Sequence, residues 1–217
     1  MFEITEYQRQ ANGEKCRNLV LFMHGYGADM NDLLPLSSAF KNSVCYSLNA
    51  PGVLPSPEGT IEGRSWFNLI SSPFGMDYDM EDVHDSASAV KIFLESKIEE
   101  DKPEKVFLLG FSQGACLVHY LLLRYPQLID GGMALSGRYV DEVFEDDFDW
   151  EKVAEKDLLL THGRYDMVIP YLSGEKIAAL YKSKNVSYEQ VTFDGGHEIP
   201  ISVFRKLKTW FAEVAND

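Results

Sequence analysis

Short apolar runs recur along this chain, separated by longer amphipathic stretches. Residues 19–23 (LVLFM), 43–48, 105–109 (KVFLL), 131–136 and 157–161 have the length and apolar content of strands buried on both faces. Residues 186–193 alternate instead, as an outer strand does. Helical spacing appears over 80–100 (closed by Asp101-Lys102-Pro103), over 115–124, 170–183 and 198–214. Residues 30–40 predict a shorter helix with Pro35 in its first turn. This alternation predicts an α/β architecture, with a mostly parallel central sheet and helices on both faces.

Residues 49–79 interrupt the pattern with Pro51, Pro55, Pro57 and Pro73 and with Gly52, Gly59, Gly63 and Gly75. So long a stretch without periodicity predicts an irregular loop, and such loops in compact domains usually carry function. No repeat, low-complexity tract or linker divides the chain, so one domain over 1–217 is expected.

Composition narrows the partners. A formal charge of −14, from 34 acidic and 20 basic residues, argues against nucleic acid and favours neutral or cationic substrates over polyanions. No apolar run reaches the length of a membrane span, so stable membrane insertion is not expected. The start, Met1-Phe2-Glu3-Ile4-Thr5-Glu6, lacks the basic and apolar regions of a secretory signal. Cys16, Cys45 and Cys116 leave at least one thiol unpaired, and reduced cysteines in a cytoplasmic protein are the simplest reading. There is no H-E-x-x-H, P-loop or G-x-G-x-x-G, and the cysteines lack zinc-ligand spacing, so neither metal nor cofactor is expected. The acidic groups from Asp77 to Asp85 read as a solvated helix start. The acidic run 141–151 reads as a solvated excursion whose aromatics leave a rim or partner contact open.

The chemistry concentrates at Gly110-Phe111-Ser112-Gln113-Gly114, between the strand 105–109 and the helix 115–124. A serine on such a turn is lifted clear of the backbone, and the flanking glycines let other segments approach it. The backbone N–H of Gln113 then sits at a helix start, where a developing oxyanion is stabilised. A serine hydroxyl also needs a base, and the base needs an orienting acid. Beyond Ser112 the histidines are His162 and His197. His197 lies in a turn after the strand 186–193 and is the expected base. Asp166 follows the strand 157–161 and is the expected acid, since Asp157 begins that strand and Asp194 reads as a turn former. His24-Gly25-Tyr26-Gly27 follows the strand 19–23. It is suited to present a second oxyanion donor, the N–H of Tyr26, with His24 shaping the loop. His84 and His119 receive no role.

In this order and spacing the chain resembles the phospholipase/carboxylesterase family of small α/β-hydrolases, which includes acyl-protein thioesterases. The resemblance covers roughly residues 15–215. It rests on His24-Gly25-Tyr26-Gly27 with Asp29, Asn49-Ala50-Pro51, Ser65-Trp66-Phe67, Gly110-Phe111-Ser112-Gln113-Gly114, His162-Gly163 with Asp166 and Pro170, and Gly196-His197-Glu198. It implies an α/β-hydrolase fold without a large cap domain and a triad of Ser112, Asp166 and His197, with Tyr26 and Gln113 giving the oxyanion N–H groups. It also implies cleavage of carboxylic ester or thioester bonds in a small acyl ester, a lysophospholipid or an acylated protein. Ala115, Asn68 and Met167 depart from residues common in the family and leave acyl-chain and leaving-group preference open. For the acyl site the apolar residues of the long loop are the candidates: Leu54, Trp66, Phe67, Leu69, Phe74 and Met76. A peptidase or dienelactone-type hydrolase, a non-catalytic binding relative, and a homodimer all stay open at this stage.

Overall fold

Five apolar residues of the strand Asn18–Met23 alternate between two cores. Leu19, Leu21 and Met23 point into one, and Val20 and Phe22 into the other. The period of two along a strand makes this unavoidable once both sheet faces are covered. The computed structural model describes residues 2–56, 58–59, 61–72, 75–145 and 147–215.

In chain order the elements are β1 (Tyr7–Asn12), β2 (Asn18–Met23), β3 (Ser43–Leu48), β4 (Gly52–Pro55), β5 (Ile61–Ser65), β6 (Leu69–Ser72), β7 (Gly75–Tyr78) and α1 (Met80–Asp101). There follow β8 (Lys105–Phe111), α2 (Gln113–Arg124), β9 (Gly131–Leu135), α3 (Asp141–Phe144), α4 (Trp150–Ala154), β10 (Asp157–Gly163), α5 (Leu172–Ser183), β11 (Glu189–Phe193) and α6 (Ile201–Val214). The central sheet runs β1-β3-β2-β8-β9-β10-β11. β1 is antiparallel to β3, and all the other pairings are parallel. Val83 and Val90 of α1, Leu117 and Leu121 of α2, and Ile177 and Tyr181 of α5 cover one face. Val203, Leu207 and Phe211 of α6 cover the other, together with Phe40 after a short 3-10 helix. Parallel order places the loops after β2, β8, β10 and β11 at one edge, where open α/β sheets bind ligands.

Several elements differ from expectation. β1 was not foreseen, because its alternation is nearly all polar on an exposed edge. The helix expected over 30–40 is a 3-10 helix, Leu34–Ala39, with Pro35 in its first turn. The segment 49–79 is not irregular: β4 pairs with β5 and β6 with β7 as two antiparallel hairpins. The acidic run 141–151 is no solvated excursion. Val143 and Phe144 of α3, and Phe148 just before α4, are buried in the main core. Asp79 caps α1, accepting from the N–H groups of Glu81 and Asp82. Among the described residues no helix is long and apolar enough to cross a membrane.

Candidate active site

Ser112 takes φ 56° and ψ −112° between β8 and α2. A left-handed φ on a residue with a side chain is strained and persists only where its surroundings hold it. The holding is visible. The Ser112 N–H donates to the Leu135 carbonyl at 3.0 Å, and the Ser112 carbonyl accepts from Ala115 and Cys116. The two flanking glycines answer a packing demand. A Cβ on Gly110 would lie 2.1 Å from the Gly114 carbonyl oxygen, and one on Gly114 would lie 1.9 Å from the Met23 carbonyl oxygen. Only a bare backbone lets α2 start so close to the end of β2.

Asp166, in the loop after β10, has a fully buried side chain. Its Oδ1 accepts from the N–H groups of Val168 at 2.9 Å and Ile169 at 2.8 Å. Its Oδ2 accepts from His197 Nδ1 at 2.7 Å. The loops after β10 and β11 are pressed together to allow this. Arg164 N–H donates to the Phe193 carbonyl, Tyr165 N–H donates to the Gly195 carbonyl, and a Cβ on Gly163 would lie 2.3 Å from the Gly196 carbonyl oxygen. With Nδ1 held by the carboxylate, the other ring nitrogen of His197 is left with a free lone pair. The His197 ring packs at 4.7 Å, centroid to centroid, on Phe111, the neighbour of Ser112. His162 turns elsewhere: its Nε2–H donates to the Ile169 carbonyl at 2.8 Å and lies 3.6 Å from Asp166 Oδ2.

The loop after β2 lies directly against the serine, since a Cβ on Gly25 would meet the Ser112 Cβ at 3.3 Å. His24 shapes this loop from inside. Its Nδ1–H donates to the Gly25 carbonyl at 2.7 Å, and its Nε2 accepts from Ala50 N–H at 3.1 Å. Burial pushes its pKa down, which suits a neutral ring with one donor and one acceptor. Strand β5 pins the loop from outside: Gly27 N–H donates to Arg64 O and Arg64 N–H donates to Ala28 O. Among the described residues the N–H groups of Tyr26 and Gln113 meet no protein acceptor.

Sequence reasoning missed what the Gln113 side chain does. Its Oε1 accepts from Trp66 N–H at 3.0 Å and Ser65 Oγ at 3.3 Å, and its Nε2 donates to the Phe67 carbonyl at 2.8 Å. It clamps the 65–67 segment and thereby fixes the start of α2. Trp66 and Phe67, expected at the acyl site, do not line the cleft at Ser112. Both are buried in the core, and the Trp66 indole N–H donates to the His24 carbonyl at 2.8 Å.

A cleft of about 330 Å³ opens at Ser112. Its walls are Gly25, Tyr26, Leu69, Tyr78, Phe111, Gln113, Arg138, Val168, Ile169 and His197. Of the residues expected to hold an acyl chain, Leu69 lines it. Leu54, on the β4–β5 hairpin, is not among its lining residues. Phe74 and the side chain of Met76 lie outside the described residues. Tyr78, Val168 and Ile169 carried no apolar pattern that distinguished a cleft wall from the core. A larger hollow of about 560 Å³ lies at the opposite end of the sheet against Phe211 and Ala212, far from Ser112.

A family model described as Phospholipase/Carboxylesterase matches residues 7–215. Carboxylesterase SOBER1 of Arabidopsis thaliana is 29% identical over 207 residues, which cover 89% of each chain. Acyl-protein thioesterase 1 of Kluyveromyces lactis is 28% identical over 180 residues, 76% of each. Among solved structures, the Bacillus cereus carboxylesterase matches the fold with a TM-score of 0.79 at 19% identity, over 96% of this chain and 94% of its own. The match takes in every residue of the cleft, and the chain belongs to the phospholipase/carboxylesterase family.

Proposed function

We propose that this chain is a serine hydrolase that cleaves carboxylic ester or thioester bonds through an acyl-enzyme on Ser112. The observation that carries the reading is the 2.7 Å bond from His197 Nδ1 to buried Asp166, with His197 and Ser112 on the walls of one cleft. Asp166 fixes the tautomer of His197, whose Nε2 takes the Ser112 proton as Oγ attacks the carbonyl carbon. The tetrahedral oxyanion is received by the N–H groups of Tyr26 and Gln113. The His197 imidazolium protonates the departing alkoxide or thiolate. Water then attacks the acyl-enzyme by the same route in reverse and restores Ser112.

Leu69, Tyr78, Phe111, Val168 and Ile169 give the cleft an apolar lining, and its volume lies near the lower end of the roughly 300–1,000 Å³ usual for ligand sites. That favours a modest acyl group, with the leaving group extending outward past exposed Tyr26 and Val168. A lysophospholipid or an acylated protein fits such an opening. The named relatives, a carboxylesterase and an acyl-protein thioesterase, support the same substrate class. The test is a series of p-nitrophenyl esters and acyl thioesters of increasing chain length, set against peptide substrates, with Ser112→Ala as control. Ester and thioester turnover that falls at least ~10³-fold in Ser112→Ala is expected. Peptide cleavage alone, or activity that survives the substitution, would refute the reading.

A further inference from the structure

The larger hollow, at the end of the sheet away from Ser112, combines apolar walls with cations and a buried amide. Lys208, Phe211 and Ala212 of α6, and Ala215 just after it, follow the i, i+3, i+4, i+7 spacing of one helix face. Alanine at two of these places leaves room that a larger side chain would fill, and Ala39, Lys41 and Asn42 add to the wall. Its volume of about 560 Å³ falls within the roughly 300–1,000 Å³ usual for ligand sites. Asn18 lines it too. As the first residue of β2 it shares the α6 face with Val20 and Phe22. It is 5% exposed, and its carboxamide meets no hydrogen-bond partner among the described residues. A buried amide left in this way costs stability until something supplies the missing bonds.

Charge is concentrated here against the trend of the chain. Asn18, Asn42 and Ala215 also line an adjoining hollow of about 350 Å³. Six of the chain's 20 lysines and arginines line the two hollows, against one acid, Glu104. Arg17 lies 3.8 Å from Glu104, and Lys105 Nζ donates to the Val214 carbonyl at 2.7 Å. Lys41, Arg205 and Lys208 pair with no carboxylate among the described residues, whereas their neighbour Lys206 pairs with Glu189 at 2.5 Å. We infer that the larger hollow binds an amphipathic anion, an apolar chain that ends in a carboxylate. A hydrated polyanion would leave Phe211, Ala212 and Ala215 uncovered, and a plain hydrocarbon would leave the cations and Asn18 unmet. The net charge of −14 opposes anions at long range, but screening over about 8 Å in physiological salt lets the local cations govern at the rim. This place is separate from the Ser112 cleft, with which it shares no lining residue. Asn18 starts β2, whereas Met23 at the other end of that strand abuts Gly114 beside the nucleophile. The acid released by ester cleavage has the chemistry of this ligand, but its binding needs nothing from Ser112.

The test is calorimetric titration of octanoate into the purified protein at neutral pH, beside octanamide, which lacks the charge, and acetate, which lacks the chain. Octanoate is expected to bind about tenfold or more tightly than either, since each methylene covered adds up to about fourfold. The exposed double substitution Lys41→Gln with Lys208→Gln should weaken octanoate about tenfold and leave octanamide unchanged. Asn18→Leu should weaken octanoate while the urea midpoint holds or rises, because no hydrogen bond within the protein is lost. A midpoint that falls would make Asn18 a structural residue and count against the site. Ala215→Phe should fill the hollow and abolish binding without changing kcat/KM on p-nitrophenyl butyrate. Octanoate that does not bind, that binds no better than octanamide, or that ignores both the lysine substitutions and Ala215→Phe overturns the inference. In the last case the anion sits elsewhere, as in the Ser112 cleft. Protein that sediments with phosphatidylglycerol vesicles through the same lysines, yet takes up no octanoate, would make this face a membrane-docking surface and equally overturn it. Should Ala215→Phe fail to fold, the two exposed lysines carry the test.

Discussion

Replacing Asp166 by Asn keeps the shape of the side chain and reverses its chemistry at one atom. Oδ1 accepts two backbone N–H groups, from Val168 and Ile169, so the amide oxygen of Asn must stay on that side. The amide NH₂ then faces His197 Nδ1 across the present 2.7 Å contact. Two donors cannot share it, so Nδ1 becomes the acceptor and the ring proton moves to Nε2. A His197 protonated at Nε2 has no lone pair for the Ser112 proton, and the charge that would steady an imidazolium is gone. Wrong-tautomer changes of this kind cost about 10³–10⁴ in kcat, or ~4–5.5 kcal/mol of transition-state stabilisation. Both backbone bonds survive, so the fold should hold. The assay is kcat/KM on p-nitrophenyl butyrate near neutral pH, with circular dichroism and urea unfolding as controls. A folded Asp166→Asn protein within tenfold of the wild type would refute the argument and point to another acid.

Other outcomes follow from the packing around the cleft. Gln113→Ala keeps the Gln113 N–H but strands the buried Trp66 N–H, while the Phe67 carbonyl retains the Ser65 hydroxyl at 2.7 Å. A loss of about 2–3 kcal/mol in urea unfolding is expected, and an unchanged midpoint would contradict the clamp. His119 is buried against Tyr181, and burial pushes its pKa down from 6.5 to about 3. The unfolded chain therefore binds this proton first as pH falls. The contribution to stability is whole above about pH 6.5 and declines toward pH 3, by about 2 kcal/mol between pH 7 and 5. His119→Gln should flatten the stability profile over that window relative to wild type, and parallel profiles would show that His119 does not titrate as described.

How much the sequence revealed depended on whether a residue's surroundings leave a pattern. The parallel strands were legible because burial on both faces leaves runs such as LVLFM at 19–23. β1 was not, since Tyr7–Asn12 is an exposed, mostly polar edge on which Tyr7 packs against Tyr46 of β3 and Phe93 of α1. Ser112 was legible because its two glycines answer backbone approaches of about 2 Å that admit nothing larger. Trp66 and Phe67 were misread as cleft residues. Aromatics in a Gly- and Pro-rich segment have no periodicity to tell core from cavity, and the Gln113 clamp that draws them inward is made over 46 residues or more of separation. Phe144 and Phe148 were masked by the acidic residues around them, although both are buried. Arg138 gave no signal at all, because its place in the cleft depends on the left-handed turn at Ser136.

The central claim is that Ser112 is an activated nucleophile. It is tested most directly by treating purified protein with a fluorophosphonate probe and locating the adduct by mass spectrometry. A single adduct on Ser112, absent from Ser112→Ala, is the predicted result. A folded protein that takes up no probe, or takes it up at another residue, would contradict the account.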